Sequence, residues 1–128
     1  MEQLELVRQW LLRFPQWGQK PLAVDCTGPK PGSCGLFPVG LEQIRRRENV
    51  LGVVTYRYRR QFLLRRAACR GEDGAAWIMA LEDWVSRNPG PGLGADCIVR
   101  AEKGRLLKTD AQIATYEVKL TIEYTEER

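Results

Sequence analysis

VVTYRYRRQFLLRRAAC, residues Val53 to Cys69, runs for seventeen residues without a proline or a glycine. Its β-branched and aromatic content reads as one long strand. At about 3.3 Å per residue, such a strand spans roughly 56 Å. A compact domain of this chain's size is only roughly 36 Å across. The strand is therefore expected either to bend at a bulge or to carry its first half outward as a two-stranded arm. Val54, Tyr56, Tyr58, Phe62, Leu64 and Ala68 share one face, interrupted by Arg60 and Arg66. Thr55, Arg57, Arg59, Gln61 and Arg65 take the other face. The consecutive Phe62-Leu63-Leu64 points to deep burial of the second half, and Val53 to Arg60 is the more polar, more basic half.

Immediately upstream, Asn49 to Gly52 supplies turn chemistry. Residues 41–48 then read as the first leg of a hairpin returning along 53–60, in preference to a helix. The hairpin concentrates charge. Nine arginines fall between Arg45 and Arg70, and only Glu42 and Glu48 oppose them over residues 41–70. That segment carries +7 while the whole chain carries +4, which leaves −3 for everything else.

Toward the N-terminus, Leu4, Val7, Leu11 and Phe14 recur at helical spacing with Trp10 on the same stripe. This predicts a helix over residues 2–14, stopped by Pro15, with Trp17 folding back onto its end. Leu22, Val24 and Cys26 alternate as a short strand. TGPKPGSCG, residues 27–35, is a loop by composition, and Leu36, Phe37 and Val39 resume an apolar run before Gly40. Toward the C-terminus, Trp77, Ala80, Leu81 and Trp84 form the buried stripe of a second helix, residues 72–88, flanked by Val85. Residues 97–108 and 113–125 read as a β-hairpin with a bulge at Gly104. Tyr116, Val118, Leu120, Ile122 and Tyr124 alternate with polar residues in its second leg. The expectation is a single α+β domain over residues 1–128, in the order α–β–β–arm–β–α–β–β. Two helices cover one face of a mainly antiparallel sheet.

Several functions are disfavoured by composition. The chain has no histidine, which removes His-containing catalytic triads, His-ligated metal sites and the usual proton shuttle near neutral pH. Cys26, Cys34, Cys69 and Cys97 match no zinc-ligand spacing. They read as free thiols packed like small apolar residues, with a Cys26–Cys34 bridge across the loop as the alternative. No phosphate-cradling glycine motif is present. The adjacent carboxylates Glu72-Asp73 and Glu82-Asp83 point about 100° apart on a helix, which suits solubility rather than catalysis. The longest apolar run, Ala75 to Leu81, is seven residues, far short of a membrane span. The N-terminus does not read as a secretory signal, so synthesis in the cytoplasm is expected. No catalytic residue, metal site or cofactor is expected.

The arginine cluster has three readings. It contacts nucleic acid, with Tyr56 and Tyr58 stacking on bases. It docks on acidic surface of a neighbouring subunit, such as Glu72, Asp73, Glu82, Asp83, Glu117, Glu123, Glu126 or Glu127. Or it is a solvated strand face balanced by Glu117 and Glu123 within the same subunit. Docking is preferred, with Arg45, Arg46, Arg47, Tyr56, Arg57, Tyr58, Arg59 and Arg60 as the interface.

Four segments carry a family likeness: WLLRFPQW at Trp10–Trp17, GSCGLFP at Gly32–Pro38, RRQFLLRR at Arg59–Arg66, and GEDGAAW leading to DWV within Gly71–Val85. Together they resemble the small minor capsid proteins encoded in prophages of Gram-positive gut bacteria. The order of elements is similar to that of tail-terminator and head–tail connector proteins of long-tailed phages. The resemblance implies an α+β subunit that assembles as a ring, commonly hexameric, and meets tail-tube and neck proteins. It also implies assembly in the host cytoplasm and a final place in the virion, with no catalytic or cofactor residues.

Overall fold

A computed structural model describes residues 3–15, 22–24, 34–69, 74–109 and 113–127. The elements are α1 (Gln3–Leu11), β1 (Leu22–Val24), β2 (Cys34–Glu48), β3 (Val54–Cys69), α2 (Gly74–Arg87), β4 (Ala95–Thr109) and β5 (Ile113–Glu127). One five-stranded sheet runs in the order β1-β2-β3-β5-β4. The short β1 pairs parallel with β2, and every other pairing is antiparallel. The expected α+β class, with helices packed on a mostly antiparallel sheet, is the fold observed.

The long strand is accommodated in a way the sequence reading did not consider. β3 neither kinks nor leaves the body with a single companion. It pairs with β5 from Thr55 to Cys69 without one register shift, and with β2 from Val54 to Arg66. The expected two-stranded arm is therefore an interior strand with a neighbour on each side. Only the turn before it, Asn49 to Val53, and the Glu48–Val54 pair lie beyond the last β5 pairing, Thr55 with Glu127. The irregularities fall on the outer strands: β2 shifts between Pro38 and Gly40 and between Gln43 and Arg45. β4 shifts at three places, one of them between Glu102 and Arg105, where the Gly104 bulge was expected. An outer strand can lose a ladder bond to a bulge and coil around its straighter neighbour, whereas a central strand would lose pairing on both sides.

Those bulges also correct a boundary. Gly40 was read as separating an apolar run from the hairpin leg, but β2 continues through it, and through Pro38. Beyond Leu36 the outer side of β2 has no β1 pairing, and a proline is tolerated on such an edge. The turn itself forms as expected. Asn49 accepts hydrogen bonds at Oδ1 from the amides of Leu51 (2.9 Å) and Val53 (3.1 Å), and Gly52 takes a φ of 84° that favours glycine.

One face of the sheet holds the core. Leu36, Phe62, Leu64, Val118, Leu120 and Ile122 are almost fully buried beneath Val7, Trp10 and Leu11 of α1 and Trp77, Ile78, Leu81 and Val85 of α2. The helices meet through aromatic rings. Trp10 and Trp84 lie 5.1 Å apart, and Phe14 sits 5.8 Å from Trp77. Trp10 also donates its indole N–H to the Pro89 carbonyl at 2.8 Å, as a buried indole requires. Regular helix α1 ends at Leu11, three residues before the expected end. Arg13 and Phe14 bond three residues back, to Trp10 and Leu11, because the residue before Pro15 disfavours helical backbone. On α2 the buried stripe includes Ile78, which the sequence reading left out, while Trp84 is only partly buried. Leu63 faces away from the helices and is half-buried, so the burial expected of all three residues 62–64 holds for Phe62 and Leu64 only. The expectations for Trp17, for Cys26 and for the 27–33 loop lie outside the described residues.

Leu120 is fully buried at the centre of the sheet. Leu120→Ala is expected to lower unfolding free energy by about 2–5 kcal/mol. Val39→Ala, on a side chain 53% exposed, should shift it by less than about 0.5 kcal/mol. Urea unfolding midpoints of the two variants check the assignment of core and edge.

Candidate functional site: the arginine face and the hairpin tip

Strand alternation splits the candidate residues between two faces. Register places Arg45 opposite Arg57, Arg46 opposite Tyr56 and Arg47 opposite Thr55. Arg45, Arg47, Arg57 and Arg59 therefore lie on the face away from the helices. Arg46, Tyr56, Tyr58 and Arg60 lie on the helix side.

The helix-side group extends the core. Tyr58 is 9% exposed, stacked with Tyr56 at 6.0 Å and packed against Tyr124 at 5.7 Å. The Tyr124 hydroxyl accepts a hydrogen bond from Gln3 at 2.8 Å. Arg60 donates to the Gln3 side-chain carbonyl at 3.2 and 3.3 Å, tying β3 to the start of α1. Tyr58 is thus a packing residue and not an open platform for a base, contrary to one expectation. Arg46 is exposed and lies 3.6 Å from Glu48.

On the opposite face, carboxylates and guanidiniums interleave within the subunit. Glu117, on β5, accepts from Arg65 of β3 at 2.8 Å and from Arg105 of β4 at 3.1 Å, bridging three adjacent strands. Arg59 reaches Glu42 at 3.4 Å and Glu123 at 3.9 Å. Glu117 and Glu123, read from sequence as possible acidic surface for a neighbouring subunit, are engaged by this subunit's own arginines. The reason is register: Arg65 lies opposite Glu117, and Arg59 opposite Glu123.

The balance fails toward the hairpin. Arg57 is 9% exposed and donates one amino group to the Asp96 carbonyl at 2.8 Å and to Thr125 Oγ1 at 2.9 Å. Both acceptors are neutral. Asp96 has a φ of 49°, a left-handed conformation aspartate tolerates, at the bulge between Ala95 and Ile98. Arg45 and Arg47 are exposed and have no ion pair or hydrogen bond among the described residues. With Glu48, Thr55, Arg57, Asp96 and Thr125 they line a cleft of about 410 Å³ between the hairpin and the start of β4. Thr55 shares the Arg57 face by strand alternation, but Asp96 and Thr125 were missed in the sequence. Only the register across four strands brings them beside the arginines.

Past the cleft, the turn ends in two apolar side chains held in solvent: Val50 is 101% and Leu51 85% exposed. Among the described residues no group of three or more His, Cys, Asp or Glu is placed to hold a metal ion. No described helix is long and apolar enough to cross a membrane.

Burial pushes the Glu117 carboxyl up, but hydrogen bonds from Arg65 and Arg105 outweigh it and leave the carboxyl below the ordinary range. A depressed carboxylate contributes stability that is present above its unfolded value, about 4.3, and lost as pH falls through the folded one. Glu117→Gln should therefore cost about 1–3 kcal/mol at neutral pH. The gap to the parent protein should narrow in acid, and urea midpoints at neutral and acidic pH test this. An equal gap at both would mean the charge is not the source. No protein-family model matches the chain, and no curated protein matches it, so the reading of this surface rests on its own geometry.

Proposed function

We propose that this protein is a structural subunit of a long-tailed phage virion, a tail terminator or neck component that acts by ring assembly at the head–tail junction and catalyses no reaction. The observation that carries the reading is the hairpin tip. Val50 and Leu51 stand in solvent at the end of a shank bearing Arg45 and Arg47, which have no ion pair among the described residues. An apolar tip with a basic collar is unfavourable on an isolated subunit and well suited to insertion in a neighbour. The four sequence segments that resemble prophage minor capsid proteins support the same reading, as does a fold of two helices on a mainly antiparallel sheet. Among the described residues two strand edges also have no strand partner: β2 beyond Leu36, with Val39 and Leu41 exposed, and β4, with Ile98 and Leu106 exposed.

In this mechanism the tip enters an apolar recess of the adjacent subunit while Arg45 and Arg47 meet acidic side chains at its rim. Rim charges of that kind set docking register more than affinity. Asp83, exposed on α2, is an acid of suitable accessibility, although Arg87 of the same helix already lies 3.2 Å from it. Subunit docking, tail-tube and neck contacts, assembly in the host cytoplasm and residence in the virion all follow from this proposal. A nucleic-acid module is the second reading, favoured by the same unpaired Arg45 and Arg47 and weakened by the burial of Tyr58.

Charge reversal at Arg57 or Arg59 is a poor test, because both are tied into the sheet. Val50→Asp with Leu51→Asp touches only the exposed tip. The double variant should fold with an unchanged melting temperature yet give tails of irregular length that fail to join heads in electron micrographs. Normal tails from the folded variant would overturn the assembly reading.

A further inference from the structure

We infer that the cleft between the β2–β3 hairpin and the start of β4 is an oxyanion site for a phosphate group. This stands apart from the assembly reading, since it concerns the free subunit. Arg45 and Arg57 are direct cross-strand neighbours on one face, and Arg47 follows two residues along. Like charges placed directly opposite destabilise a strand pair unless an anion lies between them. Arg57 is the informative member. It is nine-tenths buried, yet its two hydrogen-bond acceptors, the Asp96 carbonyl and Thr125 Oγ1, carry no charge. A buried guanidinium held by neutral acceptors retains an uncompensated charge. Those contacts use a single amino group, so they fix the planar fork and leave its remaining donors for a ligand.

The acids around the cleft do not neutralise it. Glu48, which also lines the cleft, stands 3.6 Å from Arg46, and Glu123, which lines an adjoining recess with Arg45 and Arg57, stands 3.9 Å from Arg59. The Asp96 carboxylate and Glu127, at the end of β5, are set against three guanidiniums, which leaves a positive remainder. Thr125 adds a donor: its oxygen accepts from Arg57, so its own hydroxyl hydrogen is free for an anion. Thr55, opposite Arg47, brings a second hydroxyl to the same wall. A phosphate group offers three acceptor oxygens and close to two negative charges, which suits three arginines and two hydroxyls. A single carboxylate offers two oxygens and one charge. The volume of about 410 Å³ admits a phosphate with a substituent attached. The group arrives either on a small free molecule or on a nucleic-acid backbone.

Inorganic pyrophosphate, citrate and a short DNA duplex, each titrated at low salt and followed by amide NMR, separate the possibilities. Saturable pyrophosphate binding is expected, with shifts confined to residues around Arg45, Thr55, Asp96 and Thr125. Arg45→Ala with Arg47→Ala, both exposed, should weaken it at least about tenfold while the melting temperature does not fall. Arg57→Lys keeps the charge but removes the fork and should weaken it as well. If the duplex also binds and pyrophosphate displaces it, the phosphate is that of nucleic acid. If only pyrophosphate binds, the ligand is a small molecule. Three results would each overturn the inference: no saturable pyrophosphate shift at the cleft, undiminished binding by the folded double variant, or citrate binding as tightly as pyrophosphate.

Discussion

Backbone hydrogen bonding on both sides of β3 is the constraint from which the rest of the molecule follows. Sixteen residues of strand carry a row of amides and carbonyls along each edge, and burial without partners would be costly at every one. β2 and β5 meet that demand over nearly the same length, so strands of fifteen residues accumulate around a central one of sixteen. Once the sheet is that long, its irregularities can only be placed outside. The bulges of β2 and β4 let the edges coil while the register between β3 and β5 remains unbroken.

The unbroken register in turn organises the charge. Arg59 lies opposite Glu123 and Arg65 opposite Glu117, so two candidate repulsive sites become cross-strand pairs. Glu117 is nearly buried between two arginines from different strands, which makes it a clamp across the middle of the sheet. Guanidiniums without a direct ion pair among the described residues gather where β5 runs out, at Arg45, Arg47 and Arg57, although Glu48, Asp96 and Glu127 stand nearby. The surface is thus neutralised at its centre and unbalanced at one end. That end also carries the exposed Val50 and Leu51, which is why both the docking reading and the phosphate site fall on the hairpin.

Much of this was legible in the residues. The β3 alternation, the Asn49–Gly52 turn, the helices ending near Pro15 and Asn88, and the Gly104 bulge each have a local cause that acts in any context. Legibility stopped where partners are remote. An arginine's sequence position does not tell whether a glutamate sixty residues away will stand opposite it, so Arg59 and Arg65 looked no different from Arg45. Tyr56 and Tyr58 looked like a stacking platform because Tyr124 and Gln3, which cover that end of the sheet, are distant in the chain. Gly40 looked like a break because its edge position was not yet known.

By itself the chain determined the α+β class, the two amphipathic stripes and the concentration of positive charge in one hairpin. Periodicity and turn chemistry are short-range properties, and they survive in any fold that buries the apolar face. Tertiary structure alone decided that β3 would lie inside the sheet, which arginines would find carboxylates, and that Asp96 and Thr125 would gather beside Arg57. Those outcomes depend on pairing register between segments far apart in sequence. A shift of one residue would exchange every side chain between the helix-covered face and the charged one.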